Sequence, residues 1–584
     1  MTRTHSNATR PIVSFSNSFC AGGFQASSDP VEIIAAYTLG DVLPAIRKVE
    51  AASKSGRWAA GFVSYEAVPA FDPALTAHTA QQGFPLVWFA VFDGPQKVSS
   101  SPGEYQVGEW ASTVPASDYE SGFSHIRNAI ADGLTYQVNY TFPLEASFQG
   151  DPFGFFRVLQ SDTRAAYSAF IDTGRFQIVS ASPELFFARN GDEIVLKPMK
   201  GTSPRAPESG QDERCAELLK ASDKNRAENV MIVDLMRSDI GRISRTGTVE
   251  VVSLFDVERL PTVWQMTSTV RAVLQQGTGL ADLFRALFPC GSVTGAPKAS
   301  TMRIINEIEP NARGVYCGAI GLVAPGGDAT FSVGIRTVVI DQKHGTARCG
   351  VGGGITWGSE VRDEYQEALA KSVFLTHRPP VFELLETIAL KSSQFQLLER
   401  HLDRLSRSAS YFGYQCDRDA VVHALGDVRS QHATDDWRVR LLVSADGTAR
   451  TEAFALPPMA RATWKVAFAR SPVSSADPFL YHKTTHRSVY ETHRKENPDT
   501  QDVILWNERD EVTEFTIGNI VIERDGEKLT PPIACGLLAG TMRDELIEQG
   551  EIAEAVLSRA DVETAERIWL INSVRGWIPV MLAR

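Results

Sequence analysis

The sequence predicts a mixed α/β (α+β) protein with a large domain followed by a smaller one. Its 584 residues exceed what one hydrophobic core usually organises. Strand-like apolar runs also alternate with amphipathic helical patterns along the chain. Residues 376–380 interrupt this pattern with two adjacent prolines, which helix interiors and central strands exclude. We therefore predict a first domain over residues 1–375, a linker over 376–380 and a second domain over 381–584.

The composition is that of an ordinary globular protein and excludes several classes of function. The formal net charge of −12 argues against a general nucleic-acid binder, which needs clustered cations. No apolar run approaches the length of about 20 residues that a membrane helix needs, and Met1–Asn7 lacks a signal-peptide core. The seven cysteines are scattered without a CxxC pair, which fits reduced thiols. We expect a cytoplasmic protein that binds neither nucleic acid nor membrane.

Local patterns predict individual elements of the first domain. Aromatic and β-branched residues predict buried strands over Trp58–Tyr65 and Pro85–Phe92. Ser117 and Glu120 have the spacing of a capping box, which predicts a helix that begins there and that Gly133 closes.

The first domain is organised around Lys200. The apolar strand Glu193–Leu196 leads to it, Pro198 restricts the backbone before it, and Gly201 permits a bend after it. A lysine at the end of a rigid strand can be held still for chemistry, although a lysine at a turn is more often a solvated charge. The interpretation of Lys200 therefore depends on the neighbouring motifs.

Four further motifs carry candidate functional residues. They are Ser182–Phe186 with Glu184, Ala227–Leu235 with Glu228, the small-residue loop Gly291–Lys298, and Gly352–Ile355 followed by Glu364, Glu367 and Lys371. The loop leads into a helix whose free amides could hold an anion. Glu364, Glu367 and Lys371 share one helix face, and two adjacent carboxylates suit Mg²⁺, which prefers oxygen ligands. A solvated helix face with one ion pair is the alternative interpretation of that segment.

Together and in this order, the five motifs resemble the chorismate-utilising enzymes, the family of anthranilate synthase component I, aminodeoxychorismate synthase component I and isochorismate synthases. The resemblance runs from Trp58 to Phe374 and implies a large α/β fold with chorismate in a central cleft. The implied Mg²⁺ ligands are Glu228, Glu364 and Glu367, the implied acid/base is Glu184, and the implied substrate-binding residues are Tyr316, Arg336, Ser292, Gly295, Ala296, Gly352, Gly353 and Lys371. An arginine suits such a site because its fork grips a planar carboxylate with two hydrogen bonds.

By the same resemblance, Lys200 indicates the aminodeoxychorismate branch of the family. Enzymes that resemble anthranilate synthase carry alanine here, and ammonia reaches ring carbon C2. In the other branch the lysine is thought to attack C2, expel the C4 hydroxyl and later be displaced by ammonia at C4. The amine must be neutral to attack, which requires a pKa well below the ordinary value of about 10.4.

Two positions depart from the family pattern. Gln265 stands where many members carry histidine, and a carboxamide cannot act as a general acid at neutral pH. Ser238 stands where the family usually has asparagine. No glutaminase motif is visible either, so ammonia is expected from solution or from a separate glutamine amidotransferase subunit.

The second domain carries another ordered set of motifs. They are the strand pattern Phe382–Thr387, a helix with Arg404 that stops at Gly413, Lys483 within Tyr481–Thr485, Glu514 within Glu511–Ile517, and the small-residue turn Gly536–Arg543. Each motif alone has an ordinary structural interpretation. Together, from Val381 to Arg584, they resemble the fold-type IV pyridoxal-phosphate (PLP) enzymes, which include branched-chain and D-amino-acid aminotransferases and aminodeoxychorismate lyase.

This second resemblance implies a role for each residue type. Lys483 would hold the aldehyde of pyridoxal 5′-phosphate as a Schiff base and move protons as the free amine. Glu514 would pair with the pyridine nitrogen, so that the ring acts as an electron sink. The implied phosphate-holding residues are Arg404, Leu538, Gly540 and Thr541. Relatives of this type often dimerise, so a homodimer through this domain is one expectation.

The two resemblances together imply a bifunctional enzyme of folate synthesis. The first domain would aminate chorismate to 4-amino-4-deoxychorismate, and the second would eliminate pyruvate from that product to give 4-aminobenzoate. Aminotransferases share the motifs of the second domain, so the lyase assignment depends on the fusion. Two alternatives stay open: an anthranilate-type synthase fused to a class IV aminotransferase, and a degenerate subunit that binds chorismate or docks a glutaminase.

Overall fold

The computed structural model of the chain describes residues 12–96, 103–376, 378–432, 434–458 and 462–583. The chain divides into two compact units. Unit 1 comprises Met1–Ser203 and Leu218–Pro379, and unit 2 comprises Pro204–Glu217 and Pro380–Arg584. The division at 376–380 stays a prediction, and it did not anticipate the grouping of Pro204–Glu217 with unit 2. His377, within the predicted linker, lies outside the described residues.

Unit 1 is built mainly from strands, with helices between them. Its helices are α1 (Leu39–Lys54), α2 (Val68–Phe71), α3 (Ala116–Ala131), α4 (Pro152–Thr163), α5 (Ser209–Ala221, which begins in unit 2), α6 (Asp223–Gly241), α7 (Leu280–Leu287), α8 (Lys298–Ile308) and α9 (Val361–Ala370). Its strands are β1 (Val13–Phe15), β2 (Phe24–Ala26), β3 (Glu32–Ala36), β4 (Trp58–Val63), β5 (Val87–Phe92), β6 (Tyr105–Val107), β7 (Ala111–Ser112), β8 (Gln137–Gly150), β9 (Tyr167–Asp172), β10 (Phe176–Ser182), β11 (Leu185–Asn190), β12 (Glu193–Lys197), β13 (Met199–Pro204), β14 (Glu250–Arg259), β15 (Val263–Val273), β16 (Gly295–Ala296), β17 (Ala319–Val323), β18 (Ala329–Val333), β19 (Thr337–Asp341) and β20 (Thr346–Ile355).

Within the described residues, these strands form two sheets of ten strands each. The first has the order β16-β8-β20-β19-β10-β9-β1-β2, with β6 and β7 paired to β8; the second has the order β13-β15-β12-β11-β18-β17-β4-β5-β3, with β14 paired to β15. A core of buried aromatic and aliphatic side chains, including Phe15, Phe62 and Ile178, packs the two sheets together. A larger core packs α1, α6 and α7 on the second sheet. Removing this apolar surface from water is the main stabilising term of such an arrangement.

The local predictions for unit 1 are partly confirmed. The two predicted strands appear as β4 and β5. The capping box is wrong, because α3 begins at Ala116 after Pro115, and its N-cap makes no side-chain hydrogen bond. The Ser117 hydroxyl instead donates to Asp118. Pro115 is the N-cap of α3, a boundary position where the missing N–H of a proline costs no helical hydrogen bond.

Unit 2 carries its strands in two smaller sheets. Its helices are α10 (Leu398–Phe412), α11 (Arg418–Gln431), α12 (Ser488–Glu496), α13 (Thr541–Glu548) and α14 (Arg559–Glu563). Its strands are β21 (Leu384–Lys391), β22 (Gln394–Phe395), β23 (Trp437–Val443), β24 (Ala449–Ala455), β25 (Trp464–Phe468), β26 (Asp502–Trp506), β27 (Val512–Phe515), β28 (Asn519–Arg524), β29 (Glu527–Thr530), β30 (Ala553–Glu554), β31 (Arg567–Asn572) and β32 (Gly576–Leu582). In the described part of the unit, the sheet orders are β22-β21-β23-β24 and β27-β26-β25-β32-β31-β28-β29-β30. The predicted helix stop is confirmed, since Gly413 follows α10 with a φ of +69°.

The segment Pro204–Glu217 is fastened within unit 2 by Arg205. Its Nε lies 2.7 Å from both carboxylate oxygens of Asp212, and one terminal nitrogen donates to the Tyr411 carbonyl at 3.0 Å. The guanidinium also covers the Tyr411 ring, 4.4 Å from its centroid. Tyr411 in turn stacks on His482 with 4.3 Å between ring centroids. The segment therefore contributes a buried ion pair beside the residue that precedes Lys483.

In the described stretches, none of the helices combines the length and the apolar character needed to cross a bilayer.

Replacing Arg205 with leucine should lower the free energy of unfolding of unit 2 by about 3 to 5 kcal/mol, because the substitution removes the cation that faces a buried carboxylate. Thermal unfolding of the full chain would measure the change. Arg214 is exposed on the same segment, so Arg214→Leu is the matched control and should leave the midpoint nearly unchanged. Equal midpoints for the two variants would contradict the structural role of Arg205.

Candidate active sites

The first candidate site surrounds the amine of Lys200. Strand β12 leads to it, and Lys200 itself lies on the short strand β13. Gly201 adopts a φ of +95°, a conformation that L side chains rarely adopt. A Cβ on Gly354 would lie 3.2 Å from Lys200 Nζ, so β20 passes close to the amine at a residue without a side chain. The predicted bend at Gly201 is confirmed.

The surroundings of Lys200 favour its neutral form. Desolvation lowers the pKa of the amine, and the positive charge of Lys371 lowers it further. The carboxylates of Glu228, Glu184 and Glu367 act in the opposite direction without outweighing these effects. The charges of four predicted residues thus act on one amine. Lowering the pKa of a lysine raises the fraction of its neutral, nucleophilic form.

Glu184 lies in the short break between β10 and β11, with 3% of its surface exposed. Burial raises the pKa of its carboxyl to about 7, although a hydrogen bond from Ser292 and the charge of Lys200 act to lower it. Glu184 Oε1 makes no hydrogen bond to any described residue. A carboxyl that titrates near neutrality with a free oxygen is suited to both donating and accepting protons. Ser292 was predicted to bind substrate, and the structure places its hydroxyl against this carboxyl.

The predicted glycines allow close backbone approach. A Cβ on Gly295 would lie 2.0 Å from the Gln137 carbonyl, and one on Gly352 would lie 2.3 Å from the Tyr140 carbonyl. Gly295 and Ala296 form β16, which pairs with the start of β8. The anion-binding role of these glycines stays a prediction.

Gln137 is a residue of this site that the sequence analysis missed. It is 2% exposed, and its Oε1 has no hydrogen-bond partner among the described residues. Its Nε2 lies 2.0 Å from the position that a Cβ on Gly354 would take, the same position that Lys200 Nζ approaches. A polar side chain at the start of an apolar strand was the available signal, because buried amides normally find partners.

The proposed metal ligands are only partly drawn together. Glu364 accepts a 2.6 Å hydrogen bond from Ser359, and Glu367 forms a 2.8 Å ion pair with Lys371. Burial and the charge of Glu367 raise the pKa of Glu364. In the described ranges, no three or more His, Cys, Asp or Glu side chains lie close enough together to hold a metal ion. The Mg²⁺ site with Glu228 therefore stays a prediction, although carboxylate oxygens suit Mg²⁺ and a cation would relieve the repulsion at Glu364.

Gly353 faces the same pair of charges. A Cβ there would lie 3.2 Å from Glu364 Oε2 and 3.5 Å from Lys371 Nζ. Lys371 Nζ also donates to the Gly352 carbonyl at 3.0 Å. The predicted helix face and glycine run are thus in direct contact.

Arg336 and Tyr316 lie on adjoining turns. The Cys317 N–H donates to the Gly334 carbonyl at 2.9 Å, which joins the two segments. Desolvation lowers the pKa of Arg336, and its guanidinium forms no ion pair with a described residue. The Tyr316 ring packs over Gly350, where a Cβ would lie 2.2 Å from it. A desolvated guanidinium favours an anionic ligand, so the arrangement fits the predicted carboxylate-binding role.

The two residues that depart from the family pattern, Gln265 and Ser238, lie in different surroundings. Gln265 Nε2 donates to the Gly201 carbonyl at 2.9 Å, directly after Lys200. Ser238 is exposed on α6, whereas its neighbour Asp239 holds Lys298 at 2.8 Å. Nothing in the structure explains the serine.

The second candidate site surrounds Lys483 in unit 2. Its carbonyl accepts a hydrogen bond from the Leu385 N–H at 3.0 Å, which ties it to the first strand of the unit. Desolvation lowers the pKa of the amine to about 7. This value includes the charges of Arg487 and Arg404, which also lower the pKa, and those of the Glu386 and Glu514 carboxylates, which raise it. The structure therefore supports a neutral amine here as well.

Glu514 is 4% exposed at the end of β27. Burial raises the pKa of its carboxyl to about 8, although a 2.8 Å hydrogen bond from Tyr490 acts to lower it. The Leu538 backbone also contacts Glu514, and its carbonyl accepts a hydrogen bond from Asn519 at 2.9 Å. A protonated pyridine nitrogen would stabilise this carboxylate, so the residue fits the predicted cofactor contact.

Arg404 lies beside the start of helix α13. Its Nε and one terminal nitrogen donate to Glu386 at 2.9 and 2.6 Å, and the other donates to the Ala539 carbonyl at 2.9 Å. Helix α13 begins at Thr541 after Gly540, and its N-cap makes no side-chain hydrogen bond. The free amides of a helix N-terminus beside an arginine suit a phosphate group.

Glu386 and His401 are further residues that the sequence analysis missed. His401 Nδ1 lies 2.6 Å from Glu386 Oε2, and its Nε2 lies 3.1 Å from Ser573 Oγ and 3.3 Å from Thr541 Oγ1. The signal was a carboxylate inside an apolar strand pattern, since a buried charge requires a partner.

Comparison with known proteins identifies the two parts of the chain. Residues 24–377 match the family model described as chorismate binding enzyme, and residues 383–582 match the model described as amino-transferase class IV. Aminodeoxychorismate synthase component 1 of Escherichia coli (strain K12) is 41% identical over 263 residues, which are 45% of this chain and 58% of that protein. Anthranilate synthase component 1 of Streptomyces coelicolor is 34% identical over 284 residues, 48% of this chain and 55% of that protein. The chain therefore spans somewhat more than half the length of these relatives.

A solved structure supports the fold of the first part. The crystal structure of anthranilate synthase component I from Streptococcus pneumoniae TIGR4 aligns with a TM-score of 0.51 and 25% identity. The alignment covers 65% of this chain and 94% of that one. The predicted α/β (α+β) fold class and its two family resemblances are confirmed.

The lowered pKa of Lys483 predicts an unusual pH dependence. Only the neutral amine reacts with an aldehyde, so the rate at which cofactor-free protein captures pyridoxal 5′-phosphate should rise through about pH 7 and then level off. An ordinary lysine would still gain reactivity up to about pH 10.4. The absorbance of the captured cofactor would follow the rate.

Arg487→Met should move the midpoint of this profile to higher pH, because it removes a positive charge that lowers the pKa of Lys483. Arg470 is exposed and provides the control, and Arg470→Met should leave the midpoint in place. A midpoint near pH 10 in the unmodified protein would contradict the desolvated amine.

Proposed function

Because the chain belongs to the chorismate-binding enzyme family, we propose that it aminates chorismate to 4-amino-4-deoxychorismate and then releases pyruvate to form 4-aminobenzoate. The observation that carries the first step is the desolvated amine of Lys200 beside Glu184. The similarity to aminodeoxychorismate synthase component 1 supports the same choice. The class IV amino-transferase match supports a PLP-dependent second step.

In the proposed first step, the neutral amine of Lys200 attacks ring carbon C2 while the C4 hydroxyl departs. Glu184, with a pKa of about 7, is protonated in a sufficient fraction of molecules to donate to the departing oxygen. Ammonia then adds at C4, and Lys200 leaves C2 with its bonding electrons. The lysine side chain meanwhile occupies the space over C2 and excludes ammonia from that carbon.

Substrate would be oriented by its carboxylates. Arg336 offers a desolvated guanidinium, and Tyr316 lies on the adjoining turn. Glu228, Glu364 and Glu367 would hold Mg²⁺, which when bound would supply a positive charge to offset that of a substrate carboxylate. Orientation of this kind converts binding energy into a lower barrier.

In the proposed second step, pyridoxal 5′-phosphate supplies an electron sink when bound. Lys483 would hold the cofactor and would move protons as the free amine, which its pKa of about 7 permits near neutral pH. Glu514 would pair with the pyridine nitrogen, and Arg404 with the Gly540–Thr541 helix start would hold the phosphate. Elimination of the enolpyruvyl group as pyruvate makes the ring aromatic.

We infer that ammonia comes from solution or from a separate glutamine amidotransferase subunit, because the sequence shows no Gly-x-Cys-x-Gly elbow with catalytic partners. The protein would work in the cytoplasm, where its free thiols stay reduced. A homodimer through the PLP domain is part of the same proposal.

The purified protein supplied with chorismate, Mg²⁺, ammonium and pyridoxal 5′-phosphate should form 4-aminobenzoate and pyruvate. Lys200→Ala should reduce the rate of 4-aminobenzoate formation by at least a hundredfold, because the nucleophile is lost. Chromatographic identification of the aromatic product decides between the candidates. Ortho-aminobenzoate from the unmodified protein would indicate an anthranilate-type synthase, and no product at all would indicate a binding subunit.

Lys483→Ala should stop the reaction at 4-amino-4-deoxychorismate while chorismate consumption continues. The variant should also lose the long-wavelength absorption of lysine-bound pyridoxal phosphate, a readout that is independent of turnover. Persistence of that absorption would refute the assignment of Lys483. Transfer of an amino group to a 2-oxo acid by the unmodified protein would indicate an aminotransferase.

A further inference from the structure

Among the described residues, the strand that carries Lys200 pairs with a neighbouring strand on one side only. β13 is the edge strand of the second sheet in unit 1, with β15 as its neighbour in the sheet order. Gly201 follows Lys200 immediately, and glycine leaves the backbone more conformational freedom than any other residue. An edge strand with a glycine beside its functional residue needs side-chain contacts to hold that residue still.

Gln265, on β15, supplies two such contacts through one carboxamide. Its Nε2 donates to the Gly201 carbonyl at 2.9 Å, and its Oε1 accepts a hydrogen bond from the Thr202 hydroxyl at 3.2 Å. Both partners follow Lys200 directly in the chain. Asn229 Nδ2 also reaches the Lys200 carbonyl, but at a longer 3.4 Å.

The same contacts argue against a role for Gln265 in proton transfer. Its oxygen and its amide N–H groups are directed at the Lys200 strand and at the Met266 carbonyl. A carboxamide does not release a proton at neutral pH in any case. Glu184 is the nearby carboxyl whose pKa lies near neutrality.

We propose that Gln265 is a positioning residue that holds the Lys200 amine over its target carbon by bridging the backbone of Gly201 to the hydroxyl of Thr202. This inference rests on the proposed amination of chorismate. Its consequence is selectivity. When the bridge is intact, Lys200 blocks C2, and when it is broken, the strand moves and ammonia gains access to that carbon.

Two substitutions test the bridge by removing both of its hydrogen bonds or only one of them. Gln265→Met keeps the length of the side chain and removes both hydrogen bonds, so kcat for amination should fall about tenfold or more. Thr202→Val removes only the exposed hydroxyl and should lower kcat about threefold. The KM for chorismate should stay unchanged in both variants, because the carboxylate-binding groups lie on other segments. Arg271→Met, at an exposed position of β15, is the control and should behave like the unmodified protein.

The product ratio separates positioning from a loss of folded protein. Ortho-aminated product should rise at least fivefold relative to para-aminated product in Gln265→Met, a ratio that does not depend on the amount of active enzyme. In a Lys200→Ala background, Gln265→Met should have no further effect on residual turnover, because its action passes through the lysine.

Unchanged kcat and product ratio in Gln265→Met would overturn the inference, as would a loss confined to KM or a further loss in the Lys200→Ala background. Thr202→Val keeps the test valid if Gln265→Met is poorly folded, since an unchanged kcat and product ratio in Thr202→Val would also overturn the bridge. Failure of the proposed function is distinguishable, because the unmodified protein would then form no para-aminated product or Lys200→Ala would retain full activity.

Discussion

The burial of two lysine amines away from water is the constraint on which both candidate sites depend. Moving an amine out of water disfavours its charged form, and a second cation strengthens the effect. Lys371 acts in this way on Lys200, and Arg487 acts so on Lys483. The surrounding carboxylates only partly compensate. Two unrelated folds in one chain therefore shift a lysine in the same direction, toward a pKa below that of ordinary lysines.

Three buried carboxyl groups differ in pKa, and this difference distinguishes a carboxylate that holds a neighbour in place from one that can exchange protons. Glu184 and Glu514 lack a strong cationic partner, and burial raises the pKa of each, to about 7 and about 8. Burial acts in the same direction on Glu386, but the charges and hydrogen bonds of Arg404 and His401 outweigh it and lower its pKa to about 2. A carboxylate fixed in this way positions the arginine, whereas a carboxyl near neutrality remains able to exchange protons.

The sequence sufficed for the fold class, for the charged residues that act on Lys200, and for Arg404 and Glu514 beside Lys483, but not for Arg487 and Glu386. Motifs such as Glu364 with Glu367 succeed because helix periodicity alone puts both side chains on one face. Glu386 and Gln137 escaped notice because their importance comes from partners distant in the chain. The grouping of Pro204–Glu217 with unit 2 is a choice among tertiary contacts, and no local pattern records it. The capping box at Ser117 failed because the helix begins one residue before it, with Pro115 as the N-cap.

A buried arginine, Arg313, restricts the backbone of the first site through its hydrogen bonds. Arg313 is 3% exposed at its side chain and donates to both carboxylate oxygens of Glu309. Its remaining hydrogen bonds reach the carbonyls of Val293 and Asn139, which belong to the small-residue loop and to β8. A buried ion pair adds little net stability when its desolvation is counted, but breaking it is costly. The pair therefore restricts the loop and the strand to one arrangement, a restriction that the glycines of the first site cannot provide because of their conformational freedom.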